Sequence, residues 1–593
     1  MSAPDYPVPA SAAPEADVAA TPAIHTSYLE TLRGAFREER LFLLLAVIIG
    51  VLSGCAVVCF RVAIEWARLY LLGSAVPPSG TRLILAPAIA GLVVAAIVVL
   101  VFPRVRGSGV NQTKAALYIY NGYIPFRTVI GKFFCSALAI GSGHSLGPED
   151  PALQIGAGIA SALGRRLKLS REKVRLIAPV GAAAGLAAAF NAPISAVLFV
   201  IEEVIGRWSA GVLGAVVLSA VASVVVERWF LGFAPLFRIP AFEAVRPAEL
   251  LAYAALGVVG GFASIVFSKA IGILRPRLKA MPRWTQFLQP AIAGLLIGFI
   301  GYVGAPQVMG AGYEFIDQAM HDQFTWQMLG ILAGLKILST TASFVSGTPG
   351  GMFAPTLFIG AMLGGAVGGV ERTLFPALTV SSAAYALVGI GVLFAGFLRA
   401  PMTSVFMVLE VSGNYSIILP VIIANTIAYL ISRTFQPVPL FDMLSRQDGL
   451  DLPSMEEQRE LTVLRIEDAM RPPPPLVLYD ELTVGEAVKM IDHGGEDLLL
   501  VRRSPVGWSA VKKEELRKMA SLGKVEMSLG SVLPPKRLPE LHPDHPLDTA
   551  LRYIYDWPLL PVVHRADLHL LEGVISMADI LRAYRGAGAE PAE

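Results

Sequence analysis

The chain has 593 residues, 54% hydrophobic and only 16% charged, with a formal net charge of +2; soluble domains carry roughly 25% charged residues. Of its 94 Asp, Glu, Lys and Arg residues, 41 fall in the 143 positions from Asp451 onward. One soluble globule is excluded, as is a disordered chain, and no basic face stands out that would bind nucleic acid.

A membrane body with a soluble tail fits this distribution. Residues 1–35 are expected to be a disordered cytoplasmic tail, the start being rich in Ala, Pro and Ser with scattered acids. No basic run opens the chain, so a cleaved signal peptide is not expected. Arg33, Arg37 and Arg40 precede the first long apolar segment and place the N-terminus in the cytoplasm.

Apolar segments then follow one another across 36–446. Those at 41–60, 83–102, 211–226, 250–274, 288–303 and 417–431 are long enough, or nearly so, to cross a hydrocarbon core of about 30 Å. The stretches 141–164 and 347–368, and that around Ala192-Pro193, are broken by Gly and Pro. A break at membrane depth leaves backbone groups unpaired and is tolerated only where protein or a polar cavity satisfies them. Cys55, Cys59 and Cys135 all lie in apolar stretches, have no metal-type spacing, and are expected to be buried, inert thiols.

The segment 191–202 (Asn-Ala-Pro-Ile-Ser-Ala-Val-Leu-Phe-Val-Ile-Glu) matches 399–410 (Arg-Ala-Pro-Met-Thr-Ser-Val-Phe-Met-Val-Leu-Glu) at an offset of 208. Residues 151–157 match 355–361 at an offset of 204. Duplicated halves with interrupted helices in corresponding places are a transporter signature, with the site near the midplane. Within the repeat Glu202 corresponds to Glu410, a pair expected to cap backbone groups. Glu203 instead faces Val411, so its charge is not required by the fold.

Three glycine-rich breaks each precede a plausible helix start: Gly107-Ser108-Gly109, Gly147-Pro148-Glu149-Asp150-Pro151 and Gly350-Gly351-Met352-Phe353-Ala354-Pro355. Helix N-termini offer unpaired N–H donors and partial positive charge. Several converging would hold a small inorganic anion weakly enough to release it. Close packing through small residues is the other reading of these glycines. A carboxylate at this depth costs about 2.5–3.5 kcal/mol on insertion scales, which makes Glu149 and Glu203 functional candidates.

The three breaks resemble the signature regions of the CLC chloride channels and chloride/proton antiporters, over roughly 41–444. The resemblance implies a role for each matched residue. Ser108, with Gly109, would contact a central chloride, joined there by the backbone amides of Met352 and Phe353. Glu149 would be the gating glutamate that competes with the anion, and Glu203 the internal glutamate that passes protons. Lys132 resembles a basic residue near the pore. Several positions depart from the family pattern: Val110-Asn111-Gln112 follows the first motif, and Pro148 stands where the family has Lys or Arg. Asp150 replaces a glycine and should repel anions unless protonated or paired. Phe441, in Pro439-Leu440-Phe441, stands at the inner-gate tyrosine and lacks its hydroxyl. His144 is expected to be hydrogen-bonded structure, a proton relay being the alternative.

After a linker at 447–462, the regions 463–522 and 523–593 form a second twofold repeat, each with an amphipathic helix (482–491 and 547–555) followed by a strand and a second helix. Leu559-Leu560-Pro561-Val562-Val563 and the run 573–581 resemble a CBS domain; the first copy, around 498–519, is more degenerate. The resemblance implies an adenine nucleotide as a possible ligand, with Ser576 and Asp579 at phosphate- and ribose-contacting positions, and Val511 and Glu514 as their counterparts in the first copy.

The expected fold is thus an all-α polytopic membrane protein of the CLC type, an inverted repeat of broken helices, followed by a soluble α/β CBS pair. The expected activity is chloride/proton antiport through Glu149 and Glu203, in a homodimer of the inner membrane with both termini cytoplasmic, without a required cofactor or metal. The alternatives are a passive voltage- or pH-gated chloride channel and a membrane-anchored adenine-nucleotide sensor. An enzyme is not expected, since no HExxH motif or nucleophile–base set is present.

Overall fold

A computed structural model describes residues 28–74, 80–206, 210–233, 236–237, 247–376, 382–450, 452, 464–491, 497–504, 507–534 and 538–587. Of the expected tail at 1–35, residues 1–27 lie outside these residues, as does most of the linker. The chain divides into two compact units, Met1–Gln458 and Arg459–Glu593.

In the first unit, one set of helices is α1 (Tyr28–Leu71), α2 (Arg82–Leu100), α3 (Gly109–Tyr118), α4 (Phe126–Gly141), α5 (Glu149–Arg166), α6 (Arg171–Phe190), α7 (Pro193–Phe199) and α8 (Ala210–Leu231). A second set repeats it: α9 (Leu250–Ala280), α10 (Thr285–Val303), α11 (Tyr313–Met320), α12 (Trp326–Val345), α13 (Phe353–Leu374), α14 (Ser382–Leu398), α15 (Pro401–Ser412) and α16 (Ile418–Phe435). A short α17 (Leu440–Gln447) follows. Because α1 begins at Tyr28, residues 28–35 belong to that helix and not to a disordered tail. The run Leu29-Glu30-Thr31-Leu32-Arg33 is rich in helix formers and continuous with the apolar span.

The duplication seen in sequence recurs in packing. α5 lies along α6 as α13 lies along α14, and α1 meets α8 as α9 meets α16. Across the halves, α2 packs on α10 and α7 on α15. The α5–α6 contact is so close that a Cβ at Gly156 would sit 2.1 Å from the Gly181 carbonyl oxygen. Its twin, Gly360 on α13, would approach the Gly389 oxygen to 2.2 Å. Those glycines are required by backbone approach, as in tightly packed membrane helices.

Among the described residues, nine helices are long and apolar enough to cross a membrane. The window within Lys173–Phe190 is 83% buried and that within Phe353–Leu374 is 72% buried, against 39% for Thr285–Val303. α6 and α13 therefore lie inside the body, while α10 and its neighbours turn apolar side chains such as Ile292 and Phe299 outward. The expectation of three buried thiols needs correction: only Cys135 is buried, whereas Cys59 is exposed. Cys59 falls on an outward face of α1, beside exposed Val62 and Trp66.

In the second unit, β1 (Val477–Tyr479), β2 (Leu498–Arg502) and β3 (Trp508–Lys512) form one sheet, with β1 parallel and β3 antiparallel to β2. α18 (Val484–Ile491), α19 (Lys513–Ser521) and α20 (Leu529–Val532) accompany it. The second copy has α21 (Leu547–Ile554), the antiparallel strands β4 (Leu559–Val563) and β5 (Leu571–Ser576), and α22 (Met577–Ala587). Two strands separate the helices in each copy, not the single strand expected. Val574 and Ile575 pair with β4 before the chain turns helical, so what reads as one strand-to-helix run begins with a strand of its own.

Candidate functional site: convergent helix ends and two buried carboxylates

The interruptions before α5 and α13 are joined directly. Gly147 N–H donates to the Gly351 carbonyl, and Gly351 N–H to the Gly147 carbonyl, both at 2.8 Å. Without side chains at these two positions the chain ends can meet: a Cβ on Gly351 would lie 2.6 Å from Cβ of Asp150. This two-residue bridge sets the N-termini of α5 and α13 beside one another. It also satisfies backbone groups that the breaks would otherwise leave unpaired in an apolar interior.

Glu149 opens α5 at this junction and is fully buried. Its Oε2 accepts the Ala354 N–H of α13 at 3.3 Å, while Oε1 is buried with no partner among the described residues. A carboxyl group held by one long hydrogen bond, with its other oxygen open, can change position at low cost. Asp150, the next residue, turns toward α3 instead. It accepts from Ser108 Oγ at 3.2 Å, Gly109 N–H at 3.0 Å and Val110 N–H at 2.8 Å. Asp150 is thus partnered by three hydrogen-bond donors at the start of α3.

Met352 and Phe353 are buried at the start of α13. The Phe353 ring lies 4.9 Å from Phe199 and 6.5 Å from Phe441, centroid to centroid, with Phe190 and Phe394 also in contact. Phe441 thus closes an aromatic cluster against the α13 start, and its carbonyl accepts the Asn111 side-chain amide at 2.9 Å. The ring can narrow a passage, but it offers no donor to an anion.

Glu203 lies in a π-helical turn, Val200–Ile205, that continues α7. The twin α15 runs as a regular helix, so the irregular turn is confined to the copy that carries Glu203; single π turns are frequent at functional sites. Glu203 is 4% exposed, which rules out a solvated helix end. Its Oε1 accepts Lys114 Nζ at 2.9 Å, and the same ammonium reaches Asp442 Oδ1 at 3.2 Å. Lys114 and Asp442 escaped the sequence reading. A lysine and an aspartate inside a charge-poor region were the available signal.

Glu202 and Glu410 play the capping role expected of them. Glu202 receives Met402 N–H, Thr403 N–H and Thr403 Oγ1 at the start of α15. Glu410 receives Ile194 N–H, Ser195 N–H and Ser195 Oγ at the start of α7. Each half caps the other. Lys132 is also duplicated: its Nζ reaches the Val105 and Gly107 carbonyls, as Lys336 Nζ reaches those of Val308 and Gly310. Its ammonium is committed to backbone before α3. His144 Nε2 lies 3.1 Å from the Pro87 carbonyl. A cavity of about 370 Å³, lined by Arg61, Arg68, Pro148, Gly310 and Tyr313, reaches the residue before Glu149.

In the tail, Asp579 Oδ2 accepts from Ser576 Oγ at 2.5 Å, Ser576 N–H at 3.0 Å and Arg471 Nε at 2.9 Å. Burial pushes the Asp579 carboxyl up, but these bonds outweigh it and hold it below the usual range. The strand–helix junctions place Lys512 and Glu515 opposite Ser576 and Asp579, one residue on from the Val511 and Glu514 expected. Among the described residues no cluster of three His, Cys, Asp or Glu is placed to hold a metal.

A duplicated body of interrupted helices, whose buried ends meet at a carboxylate, defines a multi-pass membrane protein of transporter architecture. The chain belongs to the CLC family: residues 90–433 match the family described as "Voltage gated chloride channel", and residues 531–586 match the CBS domain. It is 31% identical over 426 residues to a "Putative chloride channel protein ClcB-like" of Ralstonia nicotianae, covering 69% of this chain and 99% of that one. It is 30% identical to the "H(+)/Cl(-) exchange transporter ClcA" of Vibrio campbellii, covering 70% and 90%. Among solved structures, a slow cyanobacterial Cl-/H+ antiporter has the same fold (TM-score 0.64, 24% identity, 69% of this chain and 98% of that one). A eukaryotic CLC transporter is similar over 91% of this chain and 97% of its own (TM-score 0.60, 18% identity).

Proposed function

We propose that the protein exchanges chloride for protons across a membrane, with Glu149 as the gate and Glu203 as the inner proton station. The observation that carries this is Glu149: a buried carboxylate at the meeting point of two helix N-termini, one oxygen on an N–H of α13 and the other without a partner among the described residues. Such a group can stand where an anion would stand, and leave when protonated. The exchange activity named for the Vibrio relative supports the coupled reading. Ser108, Gly109, Met352, Phe353 and Phe441 line the proposed anion path. Glu203, held by Lys114, would receive protons from the cytoplasmic side.

The same reading places the protein in the inner membrane as a homodimer with both termini cytoplasmic. Its domains would be a membrane body at 36–446, a linker at 447–462 and CBS regions at 463–522 and 523–593. An adenine nucleotide is the ligand class that the CBS relationship suggests for the tail. Ser576 and Asp579 fit it poorly as they stand, because they are spent on each other and on Arg471, and no transport step passes through such a ligand. One observation favours a passive chloride channel: Phe441 gives the inner end of the path no hydroxyl to hold an anion. The deciding experiment is reconstitution of the full chain in liposomes with an imposed chloride gradient. Exchange requires protons to move against the chloride flow; chloride movement without protons leaves only the channel.

A further inference from the structure

Asp150 spends its whole carboxylate on the anion-attracting end of α3. Oδ1 takes the Ser108 hydroxyl and Val110 N–H, and Oδ2 takes Gly109 N–H. The group is 2% exposed, so bulk solvent is kept from these donors. The other half of the repeat forms without such a contact. At the offset of 204 that relates the halves, α3 corresponds to α11, Ser108 to Gly312 and Asp150 to Ala354. α11 begins without a hydroxyl before it and without a carboxylate from α13, and it is a helix all the same.

We propose that Asp150 is a tethered anion that sets how tightly the Ser108 site holds its transported anion. The inference rests on the proposed anion path and adds its affinity-determining residue. A diffusing halide reaching α3 meets three donors already engaged by a carboxylate that is covalently present at high effective concentration. It must displace Asp150 from Ser108 Oγ and the two N–H groups before it can bind there. The site is thereby kept weak, which shortens residence and favours release. Glu149 and Asp150, consecutive in the chain, serve two different helix ends: α13 for the first and α3 for the second.

The test uses the purified full chain, with bromide as the probe, followed by calorimetric titration and by anomalous scattering from crystals. Asp150→Ala is expected to bind bromide at least roughly tenfold more tightly than the natural protein, a shift of about 1.4 kcal/mol. Bromide should appear within hydrogen-bonding distance of Ser108 Oγ in the variant and not in the natural protein. Asp150→Asn keeps the shape and removes the charge. It should shift affinity in the same direction by less, and it serves if Asp150→Ala does not assemble. Bromide on Ser108 Oγ in the natural protein, with Asp150 still on Gly109 and Val110, would overturn the proposal. So would folded variants that bind no more tightly. Failure of the natural protein to move chloride at all would instead count against the proposed function, and is read separately in liposomes.

Discussion

Removing Glu202 should damage the contact between the two halves more than removing Glu410. Each carboxylate takes three donors from the first turn of the opposite helix, but the surroundings differ. Glu202 is itself buried, whereas Glu410 is only partly buried; the positions they serve are alike, Thr403 and Ser195 being fully buried and Met402 and Ile194 exposed. Glu202→Ala leaves the N–H groups of Met402 and Thr403 without an acceptor; the Thr403 hydroxyl can turn to a nearby carbonyl. A buried donor left unmade costs about 1–3 kcal/mol, so the loss is about 2–6 kcal/mol. Around the partly buried Glu410 the donors freed by Glu410→Ala lie nearer the surface, and the loss should fall in the lower half of that range. The assay is thermal unfolding in detergent together with amide hydrogen exchange at 194–195 and 402–403. Faster exchange should appear at Met402 and Thr403 in the first variant and at Ile194 and Ser195 in the second. Unchanged exchange at Thr403 in a folded Glu202→Ala protein would refute the reciprocal-cap reasoning.

Lys114→Met strands Glu203 and Asp442 without their cation, and breaking such a buried pair costs about 3–5 kcal/mol. The melting temperature should fall, and adding Glu203→Gln should recover part of it. Gly156→Ala forces a Cβ to within 2.1 Å of the Gly181 oxygen, whereas Gly330 has open space around it. The first substitution should cost about 1–3 kcal/mol or more and the second almost nothing from packing, as read by detergent stability. Asp579→Ala should weaken the start of α22 by about 1.5–3 kcal/mol, seen as faster amide exchange over 577–587. Because the folded protein holds this carboxyl below its usual value, its contribution is present above the unfolded value of about 3.9 and is lost as pH falls lower. Exchange over α22 should therefore respond to pH below about 4 and show no cap-dependent change between pH 5 and 8.

Local chemistry explains what is legible in the sequence. The glycine breaks require helix ends wherever they occur, so the starts of α3, α5 and α13 were visible. Glu202 and Glu410 were recognisable as structural because the repeat keeps both, and Glu203 as exceptional because the repeat replaces it with Val411. What stayed hidden depends on which chain segments meet. Nothing local to Asp150 says that it turns to α3 while Glu149 turns to α13. Lys114 and Asp442 are 328 residues apart, and only the folded body brings them to one ammonium. The π turn at Val200–Ile205 has no separate signature, since it opens Val-Ile-Glu where the regular α15 has Val-Leu-Glu, and the copies part only at Glu203. In the tail, the one-residue offset at Lys512 and Glu515 is set by where β3 ends, a boundary that periodicity places poorly.

Paired flux recordings from liposomes test whether Glu149 gates chloride and Glu203 feeds it protons. Chloride and proton movement should be followed together for the natural protein, Glu149→Gln and Glu203→Gln. Coupled movement is expected in the first and chloride movement without protons in both variants. Proton transport that survives Glu203→Gln, or chloride-driven proton movement that survives Glu149→Gln, would contradict these roles.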